Sequence, residues 1–354
     1  MMLTNYNELC RQIEANGYID PHLKEDLRID MQNGKQLIEL FPRDGGFRIN
    51  DDQVNYMLTV SRYRKGYVWD GAAVVLHRNL PIRHCTINGL NTSELEQRMK
   101  PIDWMRDYGA LHKANGNNPE VAKTLSKVTA ILDDLLALQS TGGDRGIDIS
   151  LQLIQRYVMA GPNGVAHNLH AYMLQLSPPL SHFFDMTAQP FTFREAYHLL
   201  SSRAVRKKIH DPVQGTNFQW FRLNLDPRGF GDPSEMLQYP DFNLLPQLAK
   251  LPCPEINGPL LHQCKRILHA GDLLYLTSPA GPVTVTVDPA QRVLYGLNDY
   301  LEPISHAALL RRFDPTNVFL QKKGPPVFRN VRFPRTLKGV PLRNPFGKRG
   351  PPRQ

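Results

Sequence analysis

The last 34 residues of the chain, Gln321 to Gln354, hold ten lysines and arginines and no aspartate or glutamate. The cations are Lys322, Lys323, Arg329, Arg332, Arg335, Lys338, Arg343, Lys348, Arg349 and Arg353, and seven prolines and four glycines are interspersed among them. Proline lacks the backbone donor and fixes φ, so at this density neither a helix nor an inner strand can form. With little apolar side chain to bury, the segment 321–354 predicts a disordered, extended basic arm. The whole chain of 354 residues has 42 basic and 33 acidic residues, a formal charge of +9. Without the arm, 32 basic residues face 33 acidic ones, so the excess positive charge belongs to the arm and the body is close to neutral.

The folded structure must therefore come from the first 320 residues. Of the whole chain 41% is AVILMFWYC, enough for a substantial core, and a chain of this length predicts more than one compact unit at roughly 100–200 residues each. No stretch reaches the roughly 18–20 apolar residues that a membrane helix needs, and MMLTNYNELC has neither the basic nor the apolar region of a signal peptide. The expectation is a cytoplasmic protein without a membrane partner. Cys10, Cys85, Cys253 and Cys264 make no C-x-x-C pair, which in a reducing compartment predicts free thiols.

Four stretches follow from the patterning. Residues 1–90 read as an α+β unit. Asn5 is placed to cap a first helix, with Tyr6, Leu9, Cys10 and Ile13 on one face and Gly17 as its stop. Asp20-Pro21 opens a second helix with Leu23 and Leu27 inward, ending before Gly34. From Asp52 the period changes to two, with Val54, Tyr56, Leu58 and Val60 alternating, and after a turn at Arg64-Lys65-Gly66 the stretch Tyr67–His77 reads as the returning strand. Residues 91–180 read as a central helical insertion, with an apolar stripe from Val121 to Leu136, a stop at Gly142-Gly143, and two further helices over 149–159 and 165–176. Residues 185–315 form a second α+β unit after the Ser177-Pro178-Pro179 boundary. Thr192-Phe193-Arg194-Glu195 is a capping box, Phe218–Leu225 alternates as a strand, and Leu260, Cys264 and Leu268 mark a helix closed by Gly271. A meander from Asp272 to Tyr295 and a last helix over 301–312 complete it. The fold class is α+β, with small antiparallel sheets and segregated helices.

The segment Gln189–Val205, QPFTFREAYHLLSSRAV, resembles a recurring "TLKEAYNLLxGRAVNK" stretch of a Bacteroidota family with a domain of unknown function. Trp220–Leu225 is similar to a "WVQLDF"-like strand that follows it there. The likeness extends over about residues 1–90 and 185–300, with Ser202 standing where that family usually has glycine. The resemblance implies an accessory protein of a bacterial mobile element. It assigns no residue a role.

The candidate sites in the body are each weaker than their architectural explanation. His167 and His170 lie three apart on a predicted helix with His182 beyond, but no H-E-x-x-H or clustered acid accompanies them, so no metal is expected. His77, His84 and Cys85 offer a Cys/His pair, yet adjacent residues of a strand face opposite ways. Asp133, Asp134, Asp144 and Asp148 read as solvated or helix-end acids. The loops Asp44-Gly45-Gly46 and Gly229-Phe230-Gly231 match neither phosphate-binding glycine pattern, so no cofactor is expected. The arm differs in kind. Its ten cations neutralise phosphates, and Phe328, Phe333 and Phe346 offer planar groups for stacking on bases. The sequence thus points to a non-enzymatic nucleic-acid-associated scaffold. A protein partner for the arm, or a nucleic-acid-processing enzyme whose site assembles only in the fold, are the alternatives.

Overall fold

The computed structural model describes residues 2–43, 47–50, 52–104, 119–158, 180–211, 215–225, 235–253, 256, 258 and 260–314. In chain order the elements are α1 (Met2–Ala15), α2 (Pro21–Gln32), β1 (Leu37–Leu40), β2 (Phe47–Ile49), β3 (Asp52–Tyr63), β4 (Gly66–His77), β5 (Thr86–Ile87), β6 (Leu90–Asn91) and α3 (Thr92–Met99). There follow α4 (Pro119–Thr141), α5 (Gly143–Leu153) with a π-helical turn over Ile154–Val158, β7 (Leu180–Asp185) and α6 (Phe193–Leu200). The remainder comprises β8 (Val205–Asp211), β9 (Gly215–Asn224), β10 (Glu235–Pro240), α7 (Leu245–Leu248), α8 (Leu260–His269), β11 (Leu274–Ser278), β12 (Gly281–Asp288), β13 (Val293–Leu297), β14 (Pro303–Ile304) and α9 (His306–Arg312). Helices and antiparallel sheets are segregated along the chain, and the fold is α+β. No helix among the described residues is long and apolar enough to cross a membrane.

The first sheet has the order β1-β3-β4-β7, with β2 also paired to β3. The alternation read in the sequence sets its register: Val54, Tyr56 and Leu58 lie opposite Leu76, Val74 and Ala72, and all six are buried. At Thr59/Val60 the partner jumps from Gly71 to Trp69, a bulge that turns the Asp70 carbonyl out to accept the Met186 amide at 2.9 Å. Helices α1 and α2 cover this sheet, and α6, arriving from the other end of the chain, docks beside them. The joint is aromatic. Tyr18 meets Tyr56, Trp69 and Phe193 edge-on at ring distances of 5.1, 5.5 and 5.6 Å. The first core therefore draws residues from both 1–90 and 185–225. A second core lies under the β11-β12-β13-β14 sheet, packed by α7, α8 and α9, and the third lies among α3, α4 and α5.

Several sequence expectations hold: Asp20 caps α2 by accepting the His22 amide at 2.8 Å, and Thr192 and Glu195 form both halves of the capping box. Others are corrected. Asn5 is not a cap, because α1 starts at Met2; its side chain instead exchanges hydrogen bonds with the Tyr67 backbone, tying the helix to the β3–β4 hairpin. The helix expected over 149–159 begins at Gly143. Gly142 and Gly146 permit this, since a Cβ on either would sit 2.4 Å from the Leu138 carbonyl oxygen. The helix expected over 301–312 starts at His306, because Leu301 takes φ +60° and Pro303-Ile304 pairs with β13. The strand read at 218–225 is the middle one of a β10-β9-β8 sheet. The predicted helix 165–176, the Ser177-Pro178-Pro179 boundary, the two glycine loops and the arm 321–354 lie outside the described residues.

Candidate anion-binding cleft

All thirteen arm residues expected to contact nucleic acid, from Lys322 to Arg353 with Phe328, Phe333 and Phe346, lie outside the described residues, as do His167 and His170. His182 sits in β7 opposite Val74 with its ring against Phe184 at 4.7 Å. His84 is held by other groups: its Nδ1 lies 3.2 Å from Thr92 Oγ1 and its Nε2 3.3 Å from Glu96 Oε2. Asp134 pairs with Arg98, Asp148 accepts from Gln152, and Asp133 and Asp144 are exposed. Among the described residues no three His, Cys, Asp or Glu side chains cluster as a metal site. The four cysteines form no disulfide.

The fold assembles other residues instead. Buried Glu96 accepts from Arg156 Nη1 at 2.8 Å and from Tyr157 Oη at 2.9 Å, with Lys100 and His84 beside it. Burial pushes its carboxyl up, but these donors outweigh burial and hold it below the ordinary value. This knot fastens α3 to the π-helical turn. A second lies at the α6 terminus, where Arg194 grips Asp272 with one nitrogen, 2.9 and 2.8 Å from its two oxygens. His198, 2% exposed, brings its Nε2 to 3.1 Å from Asp272 Oδ1, a close contact that lacks hydrogen-bond alignment. Burial pulls His198 down to about 4, overriding the nearby carboxylate, so at neutral pH its ring is uncharged. For Asp272, burial acts upward, but the contact with His198 and the charge of Arg194 outweigh it and hold the carboxyl below its ordinary range.

Next to this knot, where the three larger sheets meet, a cleft of about 640 Å³ opens. Arg78 reaches it from just past β4, Arg203 from the turn after α6, and Arg222 from β9. Tyr197, Tyr275 and Tyr295 stand among them. The turn after α6 aims Arg203. Ser202 adopts φ +62°, its amide bonds to the Leu199 carbonyl, and the Arg203 amide reaches back to the His198 carbonyl at 2.9 Å, the Schellman pattern. The Arg203 guanidinium then lies over the Tyr197 ring, 4.9 Å from its centre, and the residue is 8% exposed.

Arg203 is buried and Arg78 and Arg222 are half-buried, and none of the three has a carboxylate in direct contact among the described residues. Among the described residues none of them forms an ion pair, and the buried Nε of Arg78 has no hydrogen-bond acceptor. Burial lowers the Arg78 pKa from its ordinary value; Asp52 opposes this and Arg203 adds repulsion. The cleft's two carboxylates are engaged elsewhere. Asp52 accepts from the Asn79 amide at 2.7 Å and from Tyr197 Oη at 2.9 Å, while Asp288 Oδ1 accepts the Ala290 and Gln291 amides of a turn. Burial raises the phenols of Tyr197, Tyr275 and Tyr295, so they are protonated donors at neutral pH. His306 has Nδ1 2.7 Å from the Leu294 carbonyl, which fixes a proton on that nitrogen.

Protein-family models, curated proteins and solved structures yield no match to this chain. The geometry alone characterises the cleft. Three guanidiniums and three phenols converge in a recess, all of them donor groups, with the Tyr197 proton already given to Asp52. Such a set stabilises an anion. Non-glycine residues with positive φ gather at the same place: Asn50, Ser202 and Leu301 all line it. Backbone strain of this kind persists where the surroundings impose it, and commonly at ligand sites.

Proposed function

We propose that this chain is a non-enzymatic nucleic-acid-associated accessory protein that works in the cytoplasm, with the C-terminal arm contacting phosphates. The observation that carries this reading is the charge partition: ten cations and no acid in 321–354, against 32 basic and 33 acidic residues before it. A folded body that is near-neutral gains little from non-specific attraction to a polyanion, whereas an extended cationic arm follows a phosphate backbone and releases its counterions. The resemblance of Gln189–Val205 supports a mobile-element setting. The three hydrophobic cores of the described residues are built from residues 9–313.

The test is binding to duplex and single-stranded oligonucleotides over a range of salt. With about half of the cations engaged, the slope of log K against log salt on duplex is roughly −4 to −5, from about −0.9 per neutralised phosphate. The 1–320 truncation loses nearly all of this affinity and keeps its melting temperature. Replacing Phe328, Phe333 and Phe346 by Ala weakens single-strand binding more than duplex binding, since only unpaired bases offer open faces. A truncated body that binds as tightly as the whole chain refutes the reading.

A further inference from the structure

We infer that the cleft between the sheets is a binding site for a nucleoside 5′-phosphate, with Arg78, Arg203 and Arg222 on the phosphate and Tyr275 against the base. Charge taken out of water is retained only when something compensates it. Arg203 lies over the Tyr197 ring, Arg78 feels the charge of Asp52 without pairing with it, and Arg222 makes no ion pair among the described residues, while both aspartates of the cleft accept from other donors. With three guanidiniums and two carboxylates the lining keeps a net positive charge, and an anionic ligand supplies the acceptors that the guanidiniums lack. Guanidinium forks match phosphate oxygens in pairs, and the Tyr295 hydroxyl can donate to one that remains.

The shape narrows the class. A recess of about 640 Å³ matches one nucleotide and not a duplex segment. A phosphomonoester presents three free oxygens to converging donors, whereas a diester inside a strand presents two and must continue out on both sides. A terminal phosphate suits a cleft of this size for that reason. Tyr275 is 49% exposed, an aromatic face of the kind on which bases stack. The site is separate from the arm, and either reading can fail without the other.

A free nucleotide and the 5′ end of a strand present the same chemistry, and the experiment separates them. Full-length protein is titrated by calorimetry with inorganic phosphate, adenosine, adenosine 5′-monophosphate, and one single-stranded oligonucleotide made with and without its 5′-phosphate. The monophosphate is expected to bind one-to-one and at least tenfold more tightly than inorganic phosphate, with adenosine silent. Arg78→Gln and Arg222→Gln each weaken it at least tenfold, and Tyr275→Ala weakens the monophosphate but not inorganic phosphate. Both arginine variants melt close to the wild type, because neither half-buried side chain makes an ion pair among the described residues; if one fails to fold, the other carries the comparison. A tenfold preference for the phosphorylated strand that is lost in Arg78→Gln assigns the site to strand ends. Equal binding of both strands alongside tight monophosphate binding assigns it to free nucleotide. The inference is overturned if neither phosphate nor the monophosphate binds at low salt, or if binding survives unchanged in the arginine variants, which would place it on the arm.

Discussion

Acid should loosen this fold well before its carboxylates protonate, and His198 is the reason. In the unfolded chain a histidine titrates near 6.5, whereas burial holds the folded His198 at about 4. A group whose folded pKa is depressed favours the native state above its unfolded pKa. For a base this stability is lost as pH falls from about 6.5, where the unfolded chain begins to take up a proton that the native state refuses, to about 4. At pH 5 the loss relative to pH 7 is about 2 kcal/mol from His198 alone, by the linkage relation. His269, where burial and the charges of Arg206 and Lys265 outweigh Asp241, is also held at about 4. Its ring is less enclosed, and counting half of its effect adds about 1 kcal/mol. Against a total stability of roughly 5–15 kcal/mol, a combined loss near 3 is large. Urea denaturation at pH 7, 6 and 5 measures it, and the His198→Gln variant should lose about two thirds of the pH dependence whatever its absolute stability. If that variant retains the full slope, or if the His198 ring in the folded protein titrates near 6.5 by NMR, the reasoning is wrong.

Gly271→Ala should destabilise by about 2–4 kcal/mol in the same assay, because the position has φ +84° and a Cβ there would lie 2.9 Å from Val205 Cγ2 and 3.0 Å from His198 Cβ. Ser202→Gly should raise stability by about 1 kcal/mol, by relieving the left-handed strain at φ +62°, and a lower melting temperature would contradict it. Glu96→Gln should cost about 2 kcal/mol, since half-buried Arg156 is left without its counter-charge; thermal melts check this, and a neutral outcome would show that the knot does not anchor α3.

Local patterns were legible where they repeat over a few residues. The alternation of Val54, Tyr56, Leu58 and Val60 and the Thr192/Glu195 pair each specify their element without help from the rest of the chain. Elements whose reason is distant were not. Leu180–Asp185 lacks clean alternation and becomes a strand only because the β4 edge is there to pair with. Val205–Asp211 follows a helix so closely that its alternation was absorbed into the reading of the helix end. The cleft was invisible for the same reason: Arg78, Arg203 and Arg222 are far apart in the chain, and no spacing rule connects them. Ser202, flagged as a departure from glycine in the resembling segment, was the one sequence signal near the cleft. Glu96 and Arg156 likewise meet across 60 residues.

The pairing of β7 with β4 sets a timetable for synthesis. When His77 leaves the ribosome, one side of β4, with the row Ala72, Val74 and Leu76, has no neighbour, and its partner strand is about a hundred residues behind. At roughly 5–20 residues per second that edge stays open for about 5–20 s, and the covering aromatic of α6, Phe193, comes later still. During that interval the nascent sheet is a template for strands from other chains. Fragments ending between residues 80 and 180 should therefore aggregate, whereas a chain ending just beyond α6 can close its own sheet.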